Sequence, residues 1–161
     1  MTSSFTYAAL LELIRRREWD AVEKALLRFR GSDYELAAAK ALFLVNRRRF
    51  REATGALTDL AAMDDAHVEL RIRCLILAGA SSPTDQEYLK RVAHTHHNPK
   101  LLYRIGIFYL RQREFRLAKN VFRRAILLDR NFASAYLGLA RSMEGMRRWP
   151  RATRYYHAAR L

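Results

Sequence analysis

The second half of the chain repeats itself. A shift of 34 residues lays Leu102 on Tyr136, Ile105 on Leu139, Gly106 on Ala140, Tyr109 on Met143 and Phe115 on Trp149. It also lays Ala118 on Ala152, Phe122 on Tyr156 and Ala125 on Ala159. Small residues meet small ones and bulky residues meet bulky ones. A fixed period of this size means stacked supersecondary units, none of which can bury its apolar face alone. Inside one unit, Phe115, Ala118, Phe122, Ala125 and Ile126 recur at helical spacing and define one buried face. Gly106 and Ala140 let a first helix approach its second closely, Ala118 and Ala152 do so from the other side, and Phe122 and Tyr156 fill the groove toward the next unit.

The earlier chain carries a fainter copy. Trp19 and Phe50 each open a second helix, followed by Val22 and Ala53, then by Leu26 and Leu57. The offset between these two is 31 residues rather than 34. A further helix is expected to start at Ser82-Pro83-Thr84-Asp85, with Ser82 as N-cap and Pro83 in the first helical position. Gly31 is expected to end one helix, and Ser32 with Glu35 to cap the next. The expectation is one domain of about ten antiparallel helices with no strands, in hairpins over 4–31, 33–64, 66–97, 99–132 and 133–161.

The period and the order small, bulky, small, bulky, small resemble the tetratricopeptide repeat, W-x2-L-G-x2-Y followed by A-x3-F and P. The resemblance is strong over Pro99–Leu161 and degenerate over 1–98. Arg130 stands where the repeat usually has proline, and Arg113 where its internal turn usually has glycine. The resemblance implies an all-α solenoid, a right-handed superhelix with a concave and a convex face. It also implies that ligands touch the first helix of each unit at positions two, five, six, nine, twelve and thirteen. Those positions are Lys100, Tyr103, Arg104, Ile107, Leu110 and Arg111, then Ser134, Leu137, Gly138, Arg141, Glu144 and Gly145. Of these, Lys100, Tyr103, Arg104, Ile107, Arg111, Leu137 and Arg141 make the expected partner-binding groove, basic with aromatic and aliphatic steps. Lys100 and Arg104 resemble the basic pair of a carboxylate clamp. The clamp also needs asparagines and a lysine in the two preceding units, and the only asparagine there, apart from Asn98 in the junction loop, is Asn46, so a complete clamp is not expected.

Charge is distributed unevenly. Residues 1–89 hold 13 Lys/Arg and 13 Asp/Glu, whereas 90–161 hold 17 Lys/Arg and 3 Asp/Glu. The whole formal charge of +14 therefore lies in the second part, which points to an acidic or polyanionic partner. Arginine outnumbers lysine 25 to 5, and arginine forks bind carboxylates and phosphates bidentately. Arg116, Lys119, Arg123, Arg147, Arg148, Arg151 and Arg154 fall on turns and second helices, so they are expected to form a convex or edge stripe. Trp149, inside that stripe, occupies a packing position of the repeat and is not expected to act as a stacking platform for bases.

Catalytic signatures are missing: no phosphate-cradling glycine loop, no nucleophile elbow, no paired carboxylates in a plausible pocket. No catalytic residue, cofactor or metal is therefore assigned, and the chain is not expected to be an enzyme. His94 and His97 would share a face if the helix ran through both, yet neither a cysteine nor a carboxylate accompanies them. The single cysteine, Cys74, lies in an apolar run and reads as a buried thiol. Neither a signal peptide nor a membrane span is recognisable, so a cytoplasmic location is expected.

The expected function is a protein-interaction module, a scaffold or assembly factor, holding an acidic and apolar peptide or helix in the basic groove. A secretion chaperone of the type III kind is the first alternative. A binder of nucleic acid or of an anionic surface is the second, although the stacking aromatics of known RNA modules are missing. Tyr155, Tyr156, Ala159 and Leu161 are expected to leave an apolar end through which copies could associate.

Overall fold

The computed structural model describes residues 6–58, 65–80 and 82–160. Their regular elements are all α-helices: α1 Tyr7–Arg16, α2 Trp19–Leu27, α3 Asp33–Asn46, α4 Phe50–Gly55, α5 Asp65–Ala78, α6 Pro83–Thr95, α7 Pro99–Arg111, α8 Phe115–Leu128, α9 Ala133–Gly145 and α10 Trp149–Ala158. The architecture is all-α, built from stacked antiparallel helix pairs. The chain divides into two compact units, Met1–Ser81 and Ser82–Leu161. In the first, α3 packs on α1, α2, α4 and α5. In the second, α7, α8, α9 and α10 pack in succession, α7 also meets α9, and α6 rests on α7.

Helix starts follow the sequence closely. The Ser32 hydroxyl accepts from the Glu35 amide while the Glu35 carboxylate accepts from the Ser32 amide, a complete capping box. Ser82 caps α6 through the Asp85 amide, with Pro83 at the first position. Asn98, not singled out in the sequence, caps α7 by accepting from the amides of Lys100 and Leu101.

Helix ends reveal a pattern that the sequence hides. Arg17, Arg48, Arg113 and Arg147 all have φ near +60°, and Gly79 has φ 90°. Each residue donates its amide to the carbonyl three residues back, and the next residue donates five back; Arg113 to Leu110 and Glu114 to Tyr109 are one such pair. This is the Schellman motif. It ends α1, α3, α5, α7 and α9, so every first helix closes alike. Glycine is favoured there because it has no Cβ to crowd the carbonyl, yet four of the five sites hold arginine. After each of those four turns the chain enters the next helix with an aromatic (Trp19, Phe50, Phe115, Trp149) and no side-chain cap.

Two expectations need correction. Gly31 does not end α2, which stops at Leu27 with Arg28 as its cap. Nor do His94 and His97 share a helical face: α6 stops at Thr95, and His96 takes an extended conformation before Asn98. Leu161, one of the residues of the expected apolar end, lies outside the described residues.

The core of the second unit is organised around Phe122, which is 0% exposed. Gly106 on α7 and Gly138 on α9 both face its ring, and a Cβ at Gly106 would come within 2.6 Å of it. At Gly138 the overlap would be tighter still. In the first unit, Leu10, Val22, Phe43, Leu44 and Leu57 build the core, and Cys74 is buried among them. Burial raises the Cys74 thiol from about 9 to about 11.

Four outcomes follow from these backbone and core features. Gly138→Ala should lower the stability of the second unit by about 1–3 kcal/mol, because the ring cannot yield without strain. Gly55→Ala, where a Cβ meets nothing within 4 Å, should instead stabilise α4 by up to about 1 kcal/mol; thermal unfolding of the two variants shows opposite signs. Arg113→Gly should stabilise by about 1 kcal/mol by relieving the left-handed turn. Cys74 should resist alkylation of the native protein at pH 8 and react fully in denaturant, since its native thiolate forms only well above the ordinary thiol range.

Candidate partner-binding surfaces

The helices of the second unit carry two distinct sets of basic residues. One set lies on the first helices. Lys100, Arg104 and Arg111 are exposed along α7, with Ile107 half-buried between them. On α9, Arg141 is exposed and Leu137 is 41% exposed. Tyr103 is half-buried, and its ring lies 5.8 Å from Phe122 and 5.4 Å from Phe132, between centroids. It thus ties α7 to α8 and to the loop before α9. Three of the other α9 positions implied by the repeat have structural roles. Gly138 admits the Phe122 ring and Gly145 admits the Phe115 ring. Glu144 accepts a 2.7 Å hydrogen bond from the Tyr156 hydroxyl, which raises the pKa of that phenol.

The second set lies on the second helices and turns. Arg116, Arg123, Arg147, Arg148, Arg151 and Arg154 are exposed, and Lys119 is half-buried. Arg147 is the left-handed turn residue after α9, and Arg148 precedes α10. Trp149 is 57% exposed, although it occupies a packing position of the repeat. It stands in the first turn of α10, where α9 leaves most of the indole uncovered.

A cleft of about 460 Å³ opens between α6 and α8, with Tyr109 of α7 in its lining. The sequence reading missed it. Lys90 and His94 stand on its α6 side, and Asn120, Arg123 and Arg124 on its α8 side. Ala93, Leu117, Val121 and Leu127 supply apolar lining. Leu127 is 75% exposed. Arg124 donates to the His96 carbonyl at 3.1 Å, which ties α8 to the end of α6 and sets the spacing of the two walls. The lining contains no carboxylate.

Tyr109 is the unusual member. It is 4% exposed, and its hydroxyl is buried with no hydrogen-bond partner. Burial is the main reason its phenol is pushed up to about 12, with the nearby Glu87 and Glu114 carboxylates adding to the shift. Tyr109 stands at the tyrosine of W-x2-L-G-x2-Y, where the next unit has Met143, so the sequence marks it as a packing position and does not single out its hydroxyl.

No family model matches the chain, and no curated protein does either. Solved structures do match. MamA from AMB-1 superposes with a TM-score of 0.73 at 18% identity, covering 97% of this chain and 96% of that one. MamA from MSR-1 gives 0.71 at 17% identity, covering 96% and 92%. A third MamA crystal structure gives 0.73 at 15% identity, covering 92% and 90%. These likenesses show the fold. It is a tetratricopeptide-type helical repeat.

A buried hydroxyl without a partner costs about 1–3 kcal/mol. Tyr109→Phe should accordingly leave the fold intact and raise the unfolding midpoint of the isolated protein. A lowered midpoint would show that the hydroxyl has a partner in solution.

Proposed function

We propose that the chain is a protein-binding module, a scaffold or assembly factor, whose second unit holds an acidic and apolar peptide or helix along α7 and α9. The observation that carries this reading is the exposed set Lys100, Arg104, Arg111 and Arg141 beside Ile107 and Leu137. Helices leave few loops on which catalytic groups could converge, whereas a stack of them presents a continuous side-chain surface. Basic side chains steer an acidic partner and fix its register, while the aliphatic steps supply apolar contact. The fold-level likeness to MamA is compatible with a binding role and does not identify the partner. No helix among the described residues is long and apolar enough to cross a membrane.

The test is simultaneous charge reversal at Lys100, Arg104, Arg111 and Arg141. The folded variant should lose at least tenfold in affinity for the partner captured by the wild-type chain from its native source. Unchanged capture sinks the reading. Binding of random-sequence DNA, followed as salt is raised, separates the polyanion alternative: a steep loss of affinity with salt, unaffected by the four reversals, would favour it.

A further inference from the structure

The cleft between α6 and α8 is separate from the surface discussed above. Its walls are second helices, and apart from Arg123 of the basic stripe and Tyr109 of the repeat pattern its lining contains none of the residues assigned by the repeat resemblance or by the charge pattern. We propose that it is a second recognition site, taking a short stretch of a partner polypeptide in which an acidic side chain sits beside an apolar one.

Three independent observations meet there. The first is charge: Lys90, His94, Arg123 and Arg124 line the cleft and no carboxylate does. Arg124 is engaged with the His96 carbonyl, which leaves Arg123 and Lys90 as the exposed cations available to a carboxylate. A guanidinium and a carboxylate pair with two parallel N–H···O bonds, roughly twice as strong as neutral ones. The second is the Tyr109 hydroxyl, buried and unpartnered. A phenol pushed up to about 12 stays protonated at neutral pH, so it can donate to an incoming oxygen. The third is apolar lining. Leu117, Val121 and the exposed Leu127 border the same space, and an aliphatic side chain on the ligand would cover them.

A polypeptide fits better than a free inorganic anion. An anion alone would leave the leucines in water, and about 460 Å³ is far more room than one small ion fills. It falls instead within the range of organic-ligand sites, about 300–1,000 Å³. Leu127 at 75% exposure also calls for an occupant that extends past the rim.

The full chain, labelled with ¹⁵N, is titrated with a blocked peptide, acetyl-Leu-Glu-Leu-Leu-Glu-Leu-amide, with its glutamine counterpart, and with octanoate. The expected result is a set of amide shifts on α6, α8 and Tyr109, separate from any on α7 and α9, with the glutamine peptide at least tenfold weaker at the cleft. Arg123→Glu should abolish the cleft shifts. Tyr109→Phe should weaken binding about threefold to tenfold while raising the unfolding midpoint, a combination that a purely structural tyrosine would not produce. Reversal at Lys100, Arg104, Arg111 and Arg141 should remove any shifts along α7 and α9 and leave those of the cleft in place, so failure of either site is distinguishable from failure of the other. Equal binding of the glutamine peptide, indifference to Arg123→Glu, or octanoate binding as tightly as the peptide would each overturn the proposal, the last by making the occupant a small amphiphile. Shifts that fall on α7 and α9 instead would assign the peptide to the other surface and overturn it too.

Discussion

The second unit depends on one ring held between two glycines. Phe122 on α8 is fully buried, and Gly106 and Gly138 are the points where α7 and α9 come close enough to touch its face. Helix–helix distance is set by the side chains at the contact. Removing the Cβ on both neighbours lets a large aromatic occupy the middle of a three-helix layer without pushing the layer apart. Tyr103 and Phe132 then pack beside it. The spacing of α7 and α9, and with it the placement of Lys100, Arg104 and Arg141 on their outer surfaces, rests on that contact.

Most of the fold could be read from residues because the repeat is a packing code. The match of Ala118 to Ala152 and of Phe122 to Tyr156 describes which faces are buried, and burial is the strongest signal a helix carries. Caps such as Ser32 with Glu35 were legible because their chemistry is local. The Schellman turns were less so. They usually announce themselves by glycine, and here only Gly79 does. Only Arg113 was placed at a turn glycine by the repeat; the other arginines with positive φ cannot be told from surface arginines until the backbone is seen, although the recurrence of an aromatic two residues later (Trp19, Phe50, Phe115, Trp149) marks the same turns indirectly.

The α6–α8 cleft was illegible for a different reason. Its walls come from helices separated by the whole of α7, and, Tyr109 apart, its members are positions the repeat leaves unassigned. Periodicity finds what every unit shares. A recognition site is what one unit has and the others lack, so it lies in the departures from the pattern. Arg124 is such a departure, since it reaches back to the end of α6 rather than into solvent. The apolar skeleton averages these away.

The turn arginines show how stability and charge interact in this chain. Each places a non-glycine residue in a backbone region that disfavours it, by about 1–2 kcal/mol, and two of the four, Arg113 and Arg147, add to a half already bearing 17 Lys/Arg against 3 Asp/Glu. Self-repulsion of that size works against the compact state. The buried, unpartnered Tyr109 hydroxyl works in the same direction. Carboxylates supplied from outside would relieve the repulsion, and one seated in the cleft would satisfy the phenol. Ligand binding of this kind stabilises the folded form by mass action. On the proposed reading, what weakens the second unit alone is what an acidic partner would correct, so the same unbalanced charges would act on its folding and on its recognition.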